Sequence, residues 1–382
     1  MTEDTILEEI YKEAQIVFKK NILNNIDIPL KKDIDLLIDK IESNKSIVSA
    51  LATSLLKKII DPKQDIRLHR TDFENGYSAR SLDTKITSPF FKRYFPKYAN
   101  KESSFLTLAT RERIKWTIDD GNNLKIRNKN LKKCFLDVFD QIETHNKSPR
   151  NCLCYLFTKL IELTNKEDSV FQIAKKANTK IDILNINLIL AMLKEHFSIK
   201  LGSRLPVIAI YSIYEIIIPL LKRYEKKKLM PLQVHTSSDK HGFGDIEIYD
   251  DKNLPFEIIE IKHNIPVDKY LIFDIVKKIK NTNIDRYYIL TTYLNGFENL
   301  ETERLVNEYI TLIKSKINVD IIANGIITTL KYYLRFIDDY NLFLNIYTKN
   351  LINDAKQSTE TKLFHIKKWT EIQNIYSKNK TS

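Results

Sequence analysis

Glycine is scarce here, at 7 of 382 residues, and none of the seven opens a Gly-x-x-x-x-Gly-Lys-Ser/Thr phosphate loop, which argues against an ATP-driven enzyme. No glycine-rich cofactor loop follows a strand pattern, and there is neither an Asn-Pro-Pro-Tyr motif nor a Pro-Cys nucleophile, so a methyltransferase is disfavoured. Cysteine is limited to Cys134, Cys152 and Cys154, an odd number that gives no disulfide framework. Cys152-Leu153-Cys154 lacks a second ligand pair, and His145 is a lone addition, so buried thiols are expected rather than zinc. Long apolar runs are missing too. The most apolar stretch, Val207–Leu221, is shorter than the ~20 residues of a membrane span. It also contains Glu215 and Pro219, and reads as a buried helix interrupted at the proline. Met1–Lys12 is polar and acidic, unlike a secretory signal, so a cytoplasmic protein with no membrane partner is expected.

What the sequence does have is positive charge: +12 net, with a pI near 9.2. That favours an anionic partner such as nucleic acid. The richness in Ile, Lys and Asn is also what A+T-rich coding produces, so charge alone decides little.

Apolar periodicity divides the chain. Residues 4–60 read as helices, with Ile6, Ile10, Ala14 and Phe18 at four-residue spacing and Ile34, Leu37, Ile38 and Ile41 repeating the pattern. Asp61-Pro62 is a break, 65–98 an irregular charged and aromatic stretch, and Asn122–Lys133 a basic one. Residues 134–197 are again helical, and Leu201-Gly202-Ser203 reads as a junction. Beyond it the pattern changes. A helix over 206–226 precedes strands at Leu232–Thr236, Asp245–Tyr249 and Pro255–His263. Then come a helix at 268–280, a strand at Tyr287–Thr292, a helix at 300–316, a strand at Val319–Ala323 and a helix at Ile326–Ile337. Alternating strands and helices predict an α/β fold, a mixed sheet flanked by helices, behind a large and mostly helical N-terminal region. The division expected is 1–200, 201–345 and a basic tail at 346–382, helical at Thr361–Ile375.

The chemistry-bearing text is Gly244-Asp245-Ile246-Glu247-Ile248, then Phe256-Glu257-Ile258-Ile259-Glu260-Ile261-Lys262. Strand side chains alternate faces, so Glu260 and Lys262 point the same way. A turn at 250–253 would set Asp245 opposite or diagonal to Glu260. Two carboxylates and an ammonium would then share a patch, an arrangement suited to Mg²⁺-assisted phosphodiester hydrolysis. Without metal the carboxylates repel, and one tends to hold a proton. The bland alternative is a salt bridge at the edge of a sheet.

The Asp-x14-Glu-x-Lys arrangement resembles the PD-(D/E)XK nuclease superfamily, which includes most type II restriction endonucleases, with Gly244 in place of the motif's proline. The resemblance implies a restriction-endonuclease-like core, Mg²⁺ held by Asp245, Glu260 and the Ile261 carbonyl, and Lys262 serving the attacking water. It also implies hydrolysis of double-stranded DNA at a short sequence leaving 5′-phosphate ends, a homodimer, and a companion DNA methyltransferase. His69-Arg70-Thr71, Gly76-Tyr77-Ser78-Ala79-Arg80, Asp83-Thr84-Lys85 and Pro89-Phe90 are similar to SacI-like restriction endonucleases. So are His235-Thr236-Ser237-Ser238-Asp239, Asn324-Gly325 and Leu330-Lys331-Tyr332-Tyr333. Another nuclease of the same superfamily, of repair or resolvase type, and a DNA-binding protein without catalysis are the competing readings.

Further candidates surround this centre. Glu215 is a helical carboxylate placed either at the metal or in the core, and Glu247, on the strand face of Asp245, could share or replace its metal role. Glu257 should face the other way as a structural group. Gln233, His235, Ser237, Ser238 and Asp239 could touch the scissile phosphate or a base edge, or form a polar turn. Arg67, His69, Arg70, Arg80, Lys85, Lys92 and Arg93, interleaved with Phe73, Tyr77, Phe90, Phe91 and Tyr94, are the best candidates for DNA contact. Their aromatics read as core. Lys125, Arg127, Lys129, Lys132 and Lys133 form a second basic stretch or a solvated face.

Overall fold

The computed structural model describes residues 2–21, 26–176, 181, 183–233 and 242–378. The chain separates into an N-terminal unit, Met1–Ser169, and a C-terminal unit, Val170–Ser382. The division falls inside one long helix and not at the expected 200/201. Gly202 instead lies in a tight turn that introduces a helix of the second core.

In the N-terminal unit, α1 (Glu3–Lys20), α2 (Ile28–Asp39) and α3 (Lys45–Ile60) follow the four-residue apolar spacing. From Ser46 to Leu56 every side chain of α3 is buried, which makes it the central helix. Residues 65–98 were expected to be irregular throughout. The structure keeps that only to Ser78, then runs helically through α4 (Ala79–Leu82), a π turn (Asp83–Thr87) and α5 (Ser88–Tyr94). Periodicity hides this segment because its polar Asp83 is buried as a hub. Asp83 Oδ1 accepts from Ser49 and Thr53, and Oδ2 accepts from the Ser103 hydroxyl and from the Ser104 N–H and hydroxyl. A fully satisfied buried carboxylate is tolerable where an unsatisfied one is not. The short α6 (Ile118–Gly121) leads to α7 (Lys129–Glu143), whose Leu131, Phe135, Val138 and Phe139 are buried. The 28-residue α8 (Pro149–Lys176) follows and buries Cys152 and Cys154. Burial pushes the Cys152 thiol up to about 12, as expected of an inert core thiol.

In the C-terminal unit, α9 (Ile186–Phe197) and α10 (Arg204–Ile217) precede the sheet, and α10 ends in a 3-10 turn at Ile218–Leu220 where Pro219 stops it. The sheet has the order β1 (Lys228–Leu229), β2 (Ile246–Tyr249), β3 (Pro255–Lys262), β4 (Arg286–Thr291) and β5 (Asp320–Gly325). The β1/β2 and β2/β3 pairs are antiparallel, and β3/β4 and β4/β5 are parallel, so the mixed α/β sheet expected from the alternation is present. α11 (Lys269–Ile279) and α12 (Leu300–Ile317) are the crossovers, capped by Asp268 and Asn299. α13 (Ile326–Leu334), α14 (Tyr340–Gln357) and α15 (Leu363–Lys378) close the chain. The first strand lies at Lys228–Leu229, before the expected 232–236, of which Val234, His235 and Thr236 lie outside the described residues.

The two sheet faces carry separate cores. Ile258, Tyr287, Ile289 and Ile321 pack with Ile272, Ile275, Ile279, Val306 and Ile313 of α11 and α12. Ile246, Ile248, Ile259, Ile261 and Leu290 pack with α9, α10, α13, α14 and α15. The expected basic tail at 346–382 is therefore core over its described residues: Leu351, Ile366, Trp369 and Ile372 are buried, and Trp369 Nε1 donates to Thr348 Oγ1 at 2.8 Å. Lys349, Lys356 and Lys367 occupy the outer faces of two amphipathic helices, which a charge count does not distinguish from a tail outside the core.

Candidate active site

Strand alternation does most of the positioning. Ile259 and Ile261 turn into the α10 side, so Ile258, Glu260 and Lys262 turn to the other. On β2 the same parity sends Ile246 and Ile248 inward beside α10, and carries Glu247 and Asp245 to the face of Glu260. Ile246 pairs with Ile259 in antiparallel register, and the next step along brings Asp245 level with Glu260. The backbone is locked there: Asp245 N donates to Ile259 O at 2.9 Å, and Ile261 N donates to Asp245 Oδ2 at 2.7 Å.

Gly244 makes this approach possible. A Cβ at 244 would meet Ile258 Cγ2 at 2.6 Å and Ile259 O at 2.9 Å, so any larger residue pushes the strand entry off β3. Glu247 fastens the turn from within, its Oε1 accepting from Phe243 N at 2.6 Å and Gly244 N at 3.4 Å. That use differs from a share in metal binding. Glu247 holds the segment that aims Asp245.

The electrostatics follow from burial and proximity. Burial first, and Glu260 second, push the Asp245 carboxyl up to about 6; the Ile261 N–H, Lys262 and Arg204 pull the other way. Only the second of these, the Glu260 contribution, is the carboxylate repulsion anticipated from the sequence; burial is the larger cause. Lys262 Nζ donates to Glu260 Oε1 at 2.6 Å, Lys278 Nζ of α11 lies 4.0 Å from Glu260 Oε2, and the Tyr287 hydroxyl donates to Phe243 O at 2.7 Å and reaches Glu260 Oε2 at 3.4 Å. Burial and Glu260 raise the Tyr287 hydroxyl well above its ordinary range, so it stays a donor.

Sequence reasoning missed Lys278, Tyr287 and Arg204. Tyr287 was legible in principle, since it occupies the β4 position paired with Ile258. Arg204 is 2% exposed; its Nε and Nη2 donate to Asp354 Oδ1 at 3.1 and 2.8 Å, and Nη2 donates to Gln233 O at 2.6 Å. Nothing local in the sequence joins residues 204 and 354.

Glu215 is not brought to this site. It lies on α10, on the opposite face of the sheet, and accepts a short hydrogen bond from Asn350 Nδ2 of α14. Its metal role is withdrawn; half-buried, it is held by Asn350. Glu257 does face away from Glu260. It is fully buried, with Tyr214 and Tyr224 donating to Oε1 at 3.0 and 2.8 Å and Arg223 Nη2 donating to Oε2 at 3.0 Å.

The chain matches no protein-family model and no curated sequence.

The donor set nevertheless suits one kind of ion. Among the described residues no group of three or more His, Cys, Asp or Glu gathers as a metal site. Mg²⁺ asks less of a protein: one or two carboxylates, with water and substrate oxygen completing the shell. Asp245 and Glu260 are two carboxylates of that kind, and burial first and Glu260 second raise Asp245.

The candidate DNA-contacting residues between Arg67 and Arg93 belong to the N-terminal unit, and they divide. Arg80 and Lys85 are exposed. Arg67 is held by Asp65 (Nη2–Oδ2 2.8 Å), and Arg70 by Asp72 (Nε–Oδ1 2.9 Å). His69 is not a surface residue. It is 2% exposed and stacks on Trp116 at 4.0 Å, so it cannot read a base edge. Tyr77, Phe90 and Phe91 are buried, in keeping with a core role. His235, Ser237 and Ser238, with Asp239, lie outside the described residues.

Proposed function

We propose that this chain is a Mg²⁺-dependent endonuclease acting on double-stranded DNA, of the type II restriction kind that its motif resembles. The observation that carries the proposal is the convergence of Asp245, Glu260 and Lys262 on one face of adjacent strand ends, with Glu260 close enough to raise Asp245. Asp245, Glu260 and the Ile261 carbonyl would hold the ion. When bound, Mg²⁺ polarises the phosphodiester and makes water a usable nucleophile near neutral pH.

The protein's own residues supply the rest. The Ile261 N–H fixes one oxygen of Asp245. Lys262 and Lys278 offset the carboxylates in the resting state. Were Glu260 to hold the ion, Lys262 Nζ would be free to orient a water or to donate to a phosphate oxygen where negative charge builds. Tyr287 ties Glu260 to the Phe243 turn, so the acid and the strand entry move together. The net charge of +12 suits a polyanionic substrate. Cutting both strands calls for paired active sites, hence a symmetric dimer. A host using such an enzyme would need a companion methyltransferase.

A structural reading has one observation in its favour: the 2.6 Å Lys262–Glu260 ion pair already partners both groups. The two readings part on plasmid DNA incubated with Mg²⁺, with Ca²⁺ or with EDTA, beside Lys262→Ala. The nuclease reading expects discrete fragments with Mg²⁺ alone, and a rate roughly 10²–10³-fold lower in the variant. A random smear points to a superfamily member without sequence specificity. Gel retardation without any cutting, equal in both proteins, leaves only DNA binding.

A further inference from the structure

The N-terminal unit contains a cavity of about 370 Å³ whose walls include His69, Arg70, Ser78, Arg80, Phe105 and Arg111. Its guanidinium groups do not all have the same freedom. Arg70 is fixed: Nε and Nη2 donate to the two oxygens of Asp72 at 2.9 and 3.0 Å, and Nη1 donates to Arg111 O at 2.7 Å. That last bond holds the backbone from which the Arg111 side chain projects. The side chains of Arg80 and Arg111 are exposed and, among the described residues, make no ion pair or hydrogen bond. Asp72 is the one carboxylate in the wall, and Arg70 and Arg113 already share it.

The base of the cavity is built rather than incidental. His69 lies flat on Trp116, with ring centroids 4.0 Å apart and planes 14° apart, and Phe105 packs beside both rings, 5.8 Å from the indole and 6.0 Å from the imidazole. Neither ring nitrogen of His69 has a hydrogen-bond partner; the Arg67 and Thr110 carbonyls lie nearby without hydrogen-bond geometry. Burial moves the imidazole down to about 4, so the base is neutral at physiological pH and the charge comes from the arginines. Ala79 N donates to His69 O at 3.2 Å, which fixes the base against the start of the helical run from Ala79 to Tyr94.

We propose that this cavity is a phosphoryl-binding pocket in which Arg80 and Arg111 grip a single phosphate group while Arg70 sets their spacing. Unpaired guanidinium forks over a neutral aromatic base match the planar, bidentate recognition of phosphate oxygens better than that of a simple point charge. The phosphoryl group is either a backbone phosphodiester of DNA or a free phosphomonoester. The pocket stands apart from the nuclease reading, since it uses neither Asp245 and its neighbours nor a metal.

The test uses the full chain in EDTA, with inorganic phosphate followed by thermal shift and a fluorescent duplex followed by anisotropy over a range of salt. The parent is compared with Arg80→Gln/Arg111→Gln, and with Lys115→Gln, an exposed cation outside the cavity, as the charge control. The double variant removes side chains without partners, so its melting without phosphate should match the parent. The pocket predicts that the variant loses the phosphate-induced shift, or binds duplex about tenfold more weakly. Its log–log salt slope should fall by about 0.9, the value for one phosphate. Loss confined to inorganic phosphate identifies a phosphomonoester as the ligand, and loss confined to duplex identifies the DNA backbone. Unchanged binding of both overturns the proposal. So does a slope change of about 1.8, which means separate phosphates, or an equal loss in Lys115→Gln. Cleavage that persists while the pocket fails leaves the nuclease reading intact, and the reverse result leaves the pocket.

Discussion

Gly244→Ala is the smallest change that interrogates the site. Its added methyl would sit 2.6 Å from Ile258 Cγ2 and 2.9 Å from Ile259 O. Carbon–carbon contacts settle at about 3.5–4.0 Å, so the strand entry must retreat from β3 by roughly 1 Å. Nothing else about the substitution is costly, because Gly244, unlike Gly242 and Gly296, does not occupy the left-handed region. The retreat stretches the 2.9 Å bond from Asp245 N to Ile259 O beyond hydrogen-bond range, a loss of about 1 kcal/mol. Overpacking adds about 1–3 kcal/mol. A destabilisation of about 2–4 kcal/mol follows, read as a lower urea midpoint with an unchanged m-value. The same displacement takes Asp245 away from the Ile261 N–H and out of line with Glu260. Misplacement by about 1 Å costs on the order of 10²-fold in rate, so Mg²⁺-dependent cleavage should fall by that factor in protein that is still folded. A Gly244→Ala protein with the parental midpoint would refute the steric argument, and one with parental cleavage would refute the claim that this glycine aims Asp245.

Other perturbations separate framework from chemistry. Glu257→Gln should cost roughly 2–3 kcal/mol, because Arg223 loses a charged acceptor in a buried network, while Mg²⁺ dependence is unchanged; a urea titration beside the plasmid assay checks both. Truncation after Gln357 removes the buried Ile366, Trp369 and Ile372, worth about 1.5–3 kcal/mol each, and should unfold the C-terminal unit, seen as loss of its cooperative transition by circular dichroism. Acid should weaken both units. His196, driven down to about 3 by burial, and His69, at about 4, are neutral when folded, whereas the unfolded chain takes up a proton on each near pH 6.5. Stability is therefore complete above about 6.5 and falls as the pH drops toward those folded values, by at most about 1.4 kcal/mol per pH unit per histidine. His69→Leu breaks no hydrogen bond of the ring and should flatten the acid dependence of the N-terminal unit alone; an unchanged slope in urea titrations across that range would contradict the assignment.

The sequence by itself determined the local grammar of the C-terminal unit. Period-two and period-3.6 patterns placed β2 to β5 and α11 to α13 within a few residues, and strand parity alone put Glu260 and Lys262 on one face and Glu257 on the other. The turn at Asp250–Asn253 likewise implied the register that brings Asp245 level with Glu260. These features depend on neighbours close in the chain or on a single hairpin, so their physics is written within a short window. Tertiary structure decided the rest. It turned a basic tail into two core helices, because amphipathic faces find partners that charge counts ignore. It removed Glu215 from the site, because which side of the sheet a helix packs against is not encoded in that helix. It buried Asp83 and His69 in segments that read as irregular and exposed, because donors and stacking partners dozens of residues away supply the satisfaction that makes burial tolerable. Asp354 beneath Arg204, 150 residues apart in the chain, is the plainest case: a buried charge pair is settled only when the whole chain has chosen where its opposite charges meet.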